Sequence, residues 1–135
     1  MADLISLTEY KQFKEISSTD HDVQHQAYIT AVSEFVKSYC SRSFIDWYFI
    51  PKTEYADGTR NSLILPKEFP LAEVTSVEAS LDGGQTYTTL TEFTDYIVDE
   101  ENSTISSVES FFITDRNAIK SAKSLKIVYK GGFSA

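Results

Sequence analysis

Two imidazoles one helical turn apart, His21 and His25, flanked by Asp20 and Asp22, come nearest in this chain to a set of residues able to do chemistry. Rings at i and i+4 share a helix face and can share a metal ion, but a stable site needs a third ligand, and no HExxH or cysteine cluster supplies one. They are expected to be solvated residues in the first turn of a helix, and no metal is expected. Asp99, Glu100, Glu101 and Asn102 resemble a piece of a calcium loop, yet the glycine and the terminal bidentate Glu are not at EF-hand spacing, so a turn is expected there. Carboxylates are numerous enough for a glycosidase pair, but none is marked out by aromatic surroundings. No GxSxG elbow presents a serine nucleophile, and the single cysteine, Cys40, lacks a local catalytic signature and is expected to be a packing residue. Asp82-Gly83-Gly84-Gln85 lacks the lysine and strand-to-helix setting of a phosphate loop, and a hairpin turn accounts for it. Without a nucleophile, an acid–base pair or a cofactor motif, no catalysis and no cofactor are expected, and binding or assembly is the default.

Composition narrows the partners. At 135 residues the chain suits one domain, expected to span 1–135, with nine Phe and eight Tyr for its core and little Gly or Pro to favour disorder. No apolar run reaches the roughly 20 residues of a membrane span, and MADLISLTEY lacks the basic and apolar regions of a signal peptide. A soluble, intracellular protein with no membrane contact is the expectation. The net charge of -8 disfavours nucleic-acid binding, which needs a basic surface. From Arg116 onward, however, five basic residues occur without an acid, leaving -13 on the preceding residues. A basic end on an acidic body points either to pairing between copies or partners, or to a solvated edge strand carrying lysines.

The elements that would carry these residues divide into helices first and strands afterwards. Thr8 is expected to cap a short helix, TEYKQFKEI, with Tyr10, Phe13 and Ile16 near one face. Thr19 or Asp20 is expected to cap a second helix to about Tyr39, in which Tyr28, Val32, Phe35, Val36 and Tyr39 recur at three- and four-residue steps. Gln24, Gln26, Thr30, Ser33 and Lys37 take its other side. That apolar stripe is expected to anchor the core, so that Phe35→Asp unfolds the domain. FIDWYFI is expected to be a strand or a packed connection, with a turn at Asp57-Gly58 and a short strand in SLILP. EVTSVEASL, with Val77, Ala79 and Leu81 alternating against Glu78 and Ser80, and QTYTTL form a hairpin across DGG. TDYIVD and STIS form a second across EEN. VESFFI is a further strand or buried connection, and SLKIVYK is the last strand, with Leu125, Ile127 and Tyr129 on one face. The fold class is α+β, a short and a long N-terminal helix followed by an antiparallel β-rich region.

Taken in order, LISLTEYKQF, VSEFVKSYCSRSF, LILPKEFPLAEVTSVEASLDG, TDYIVD and LKIVYKGGF resemble the head-to-tail connector, or adaptor, proteins of long-tailed bacteriophages. The most recognisable pieces are the helix end AVSEFVKSYCSRSF, the run from Leu65-Pro66 through Pro70-Leu71 to Val74 and Val77, and the ending Val-Tyr-x-Gly-Gly-Phe. The resemblance implies a structural virion protein without catalysis. Copies form a ring, usually of twelve, beneath the portal protein; the ring extends the DNA channel, completes the head and docks the next neck or tail-completion protein. It implies a place at the head–tail junction after synthesis in the host cytoplasm, and DNA that passes without sequence-specific binding. An acidic body agrees with that passage, since like charge keeps phosphates from sticking. By position, Lys130, Gly131, Gly132, Phe133, Ser134 and Ala135 are the candidate portal-docking tail, and the helix from Asp22 to Tyr39 is a candidate ring element. A ring also predicts apolar surface on an isolated copy, with Trp47, Tyr48 and Phe49 as candidate interface residues. Relatives of this kind often carry a further helix after the Gly-aromatic pair, so their C-terminal contacts are not carried over here. The alternatives are another neck or tail-completion protein, or a non-enzymatic ligand-binding β module.

Overall fold

The computed structural model describes residues 2–57, 62–109, 112 and 122–134. Helix α1 spans Leu7–Lys14 and α2 spans Asp22–Cys40; the strands are β1 (Lys52–Ala56), β2 (Leu63–Ile64), β3 (Leu71–Ala79), β4 (Thr88–Thr89), β5 (Tyr96–Asp99), β6 (Thr104–Ser107) and β7 (Leu125–Gly131). The architecture is α+β: a helical pair, then two antiparallel sheets with strand orders β1-β7-β3-β4 and β2-β6-β5.

Strand β7 follows the alternation of its sequence. Leu125, Ile127, Tyr129 and Gly131 are buried, while Lys126, Val128 and Lys130 are half-buried on the other face. It lies between β1 and β3, so it is not an edge strand. Its lysines are paired across the β3 ladder, Lys126 with Glu78 at 2.9 Å and Lys130 with Glu73 at 2.7 Å. Two of the three described lysines of the basic end are thus paired within the chain, while Lys123 lies over the Tyr55 ring at 5.6 Å; Arg116 and Lys120 lie outside the described residues.

Both predicted hairpins form. Strands β3 and β4 pair Glu78 with Thr89 around the DGG turn, and β5 and β6 pair Tyr96 with Ser107 through Asp99 with Thr104. The first is short because the Asp82 carboxylate accepts the backbone N–H groups of Gln85 and Thr86 and the hydroxyls of Ser80 and Thr86, which holds the chain in a turn past Gln85. The same turn ends the β3 alternation: Ser80 is buried and Leu81 exposed. Of the two expectations for FIDWYFI, a strand or a packed connection, the second holds, and the strand occurs just after, in KTEYA. Phe44 has φ +67°, outside the strand region, and the segment Ser41–Ile50 is an irregular packed connection. In VESFFI, Val108 and Glu109 form a bend and Phe112 packs on the core, whereas Ser110, Phe111 and Ile113, like Gly58 of the predicted Asp57-Gly58 turn, lie outside the described residues.

The main core lies between the sheets. Leu71, Val77, Ile127 and Tyr129 from one meet Tyr96 and Ile105 from the other, with Ile64, Val74, Leu90, Val98 and Phe112 packed around them. A smaller cluster surrounds Leu125. No helix residue belongs to either, which overturns the expectation that the α2 stripe anchors the core. Sheet-to-sheet packing satisfies the strands' apolar faces by itself, and the helices stand aside from it.

Candidate functional site

Helix α1 begins at a capping box rather than at Thr8. The Ser6 hydroxyl accepts the Glu9 N–H, and the Glu9 carboxylate accepts the Ser6 N–H at 2.7 Å. Helix α2 starts from His21, which makes no side-chain cap, rather than from Thr19 or Asp20. Asp22 in its first turn holds Lys11 of α1 at 2.7 Å, and the chain leaves α2 through Ser41 in the left-handed conformation.

The inward face of α2 is mostly polar, with Ile29 buried and Val36 half-buried beside its polar residues. Gln26 and Thr30 donate to the Asp3 carboxylate, Ser33 Oγ accepts the Leu4 N–H, and Lys37 donates to the Ala2 carbonyl and to Asp46. Residues 2–4 thus lie along α2, bound by hydrogen bonds, with Leu4 bordering a cleft beside the buried Ile29. Lys37 Nζ and Asp46 Oδ1 are 2.9 Å apart with little exposure of either, and Asp46 also accepts the Ala2 N–H.

The outward face carries four of the five residues of the apolar stripe, Val36 being half-buried. Tyr28, Val32, Phe35 and Tyr39 are 59%, 61%, 69% and 83% exposed, and Phe35 stacks on Tyr39 with ring centroids 6.3 Å apart. An aromatic side chain offers about 150–250 Å² for burial, so the three rings alone leave on the order of 400 Å² uncovered. That approaches the largest patch on a typical monomer from one helix face. The sequence signal for this inversion was on the other side: Gln26, Thr30, Ser33 and Lys37 fall at helical spacing yet carry amides, hydroxyls and one charge, a composition suited to bonding backbone.

The segment after α2 joins helices to sheets. At one end Asp46 holds Lys37 and Ala2; at the other, the Trp47 carbonyl accepts the Gly131 N–H at 3.1 Å and the Phe44 carbonyl accepts the Phe133 N–H at 2.7 Å. Of the three aromatic residues predicted at an interface, Trp47 and Tyr48 are half-buried, and Phe49 is exposed, edge-on to Tyr48 at 4.9 Å. Phe49 and Ile50 border an open cleft of about 500 Å³ with Ala2, Ile45 and Trp47.

Of the predicted docking tail, Lys130 is tied to Glu73, Gly131 and Gly132 are buried, Phe133 and Ser134 are exposed, and Ala135 lies outside the described residues. Both glycines are sterically required. A Cβ on Gly131 would fall on the Glu68 carbonyl oxygen, and one on Gly132, where φ is +104°, would fall on that of Phe44. Gly132 also donates to the Pro70 carbonyl at 2.8 Å. A polar knot surrounds this clasp. Burial raises the pKa of the Glu68 carboxyl, but the Lys52 ammonium at 3.0 Å and the Ser43 N–H outweigh it, and the net shift is downward. The Tyr129 hydroxyl accepts the Glu68 N–H and donates to Glu54 at 2.6 Å; burial and that carboxylate push it well above the phenol range.

The remaining candidates are placed as follows. His21 and His25 have ring centroids 6.3 Å apart, and His25 leans on Tyr10 at 5.4 Å. No group of three potential metal ligands occurs among the described residues. Asp99 turns the chain by accepting from Asn102. Cys40 is exposed at the end of α2, so it is not the packing residue expected. No described helix is long and apolar enough to cross a membrane.

Among solved structures, the chain is similar to one described as the neck of an empty GTA particle computed with C6 symmetry, with a TM-score of 0.63 at 13% identity. That similarity covers 97% of this chain and 66% of the other, so the protein spans just under two thirds of its structural neighbour's length. No curated protein matches it in sequence. The model of the family "Head completion protein" matches residues 3–89, which include both helices, the polar clasp on α2, the connecting segment and β1 to β4. Since that match covers more than half of the chain, the protein belongs to the head completion protein family.

Proposed function

We propose that the protein is a ring subunit of the neck, whose copies close side by side between the portal protein and the tail or next neck component, complete the head and extend the DNA channel. One observation carries this reading: a 19-residue helix turns its polar face into its own chain and its aromatic stripe outward. Such a surface is costly in a free monomer and is accounted for by a neighbour. Ring closure requires repetition of one contact around an axis, and the structural neighbour comes from a particle computed with C6 symmetry, with which a ring of twelve is compatible. The net charge of -8 suits a wall along which DNA slides without adhering. Phe133 and Ser134, exposed beyond the glycine clasp, are the part of the predicted tail free to meet the portal.

Reconstitution tests the reading. The protein is mixed with its cognate portal and tail-completion proteins and viewed by electron microscopy; a ring joined to portal or tail is expected. Failure to bind either partner, both reconstituted and in native particles, would remove it.

A further inference from the structure

A closed ring needs two different complementary surfaces on each copy, because head-to-tail contacts join unlike faces. The outward stripe of α2 is one. On the helix, Lys37 follows Phe35 by two residues and so points about 200° away from it. Lys37 reaches Ala2 and Asp46, the residues against which the connecting segment is fastened. The cleft bordered by Ile45, Trp47, Phe49 and Ile50 therefore sits across α2 from Phe35 and Tyr39. It offers a second apolar surface: about 500 Å³, open, with Phe49 72% and Ile50 61% exposed.

We infer that the α2 stripe of one copy, with Phe35 and Tyr39 foremost, packs against the Phe49–Ile50 cleft of the next copy in the ring. The occupant is a second copy because the same chain carries both an apolar ridge and an apolar cleft, set on opposite sides where one copy cannot join its own two. The area also fits. On the order of 400 Å² from the exposed rings is about half of the roughly 800 Å² per partner of a stable interface, the rest falling to residues that flank them. A like-to-like contact between two α2 stripes would cover one surface and leave the cleft bare. The inference rests on the ring reading above and names the faces that make the ring.

Cross-linking in the assembled neck tests it. In a Cys40→Ser background, a chain carrying both Tyr39→Cys and Phe49→Cys is assembled with its partners and treated with a short bis-maleimide. Covalent ladders longer than dimers are expected, with no product from either single-cysteine chain. Rings that give no inter-copy product, dimers alone, or dimers from Tyr39→Cys by itself would overturn the pairing. If that double variant fails to assemble, Val32→Cys with Ile50→Cys carries the same readout, and electron cryo-microscopy of the unsubstituted ring decides whether Tyr39 abuts the neighbour's cleft. A ring without this proximity removes the pairing alone, whereas absence of any ring removes the function proposed above as well.

Discussion

Phe35 and Lys37, two positions apart on α2, have exchanged the environments their chemistry favours: the phenyl ring is 69% exposed and the lysine 5%. The lysine is compensated by Asp46 and the Ala2 carbonyl within its own chain. Among the described residues the phenyl ring stacks on Tyr39, itself 83% exposed, and this open aromatic surface is what the proposed ring of copies would cover.

Phe35→Asp, expected from the sequence to unfold the domain, should instead leave it folded. At an exposed helix site the cost is about 1 kcal/mol or less, read as the urea midpoint of the isolated protein. Incorporation into necks should be lost. A variant that unfolds would return Phe35 to the core.

Lys37→Ala should destabilise by about 3 kcal/mol, because it strands the Asp46 carboxylate in a site with little solvent. Chemical denaturation of this variant beside Asp46→Ala and the double substitution isolates the coupling. A coupling below about 0.5 kcal/mol would make the pair no better than a surface contact.

Two glycine substitutions should separate. At Gly83, φ is +77° but a Cβ meets open space, so Gly83→Ala carries backbone strain of roughly 1–2 kcal/mol. Gly132→Ala adds a collision with the Phe44 carbonyl, and should lower the thermal midpoint further. Equal midpoints would mean that the clasp opens freely.

Acid should weaken the knot around Glu68. Its carboxyl titrates lower in the folded protein than its unfolded value of about 4.3. That contribution is complete above the unfolded value and disappears as pH falls through the folded one. Glu68→Gln should therefore flatten the fall in stability below about pH 4. An unchanged acid limb, measured by urea titration across pH 3 to 7, would assign the fall to other carboxylates.

Removal of residues 133–135 should be tolerated by the fold. Phe133 is half exposed, and the bond from its N–H to Phe44 is worth about 1 kcal/mol. Necks that then fail to join the portal would make Phe133 a docking residue; an unfolded product would make it a core plug.

Much of the local structure was legible, although both helices start from residues other than those expected, Ser6 and His21. The period-two pattern of β7, the two turns and the two-faced character of α2 follow from side-chain spacing, and the order of these pieces was enough to show the family resemblance. Which face of α2 turns inward was not legible, because periodicity separates two faces and is silent on what covers either. That depended on residues 2–4 and Asp46 offering backbone and carboxylate partners to Gln26, Thr30, Ser33 and Lys37, while the two sheets closed the core without the helix. The glycines near the end were visible as glycines. That they thread between the Glu68 and Phe44 carbonyls arises from segments more than 60 residues distant in sequence, brought together only when β7 pairs between β1 and β3.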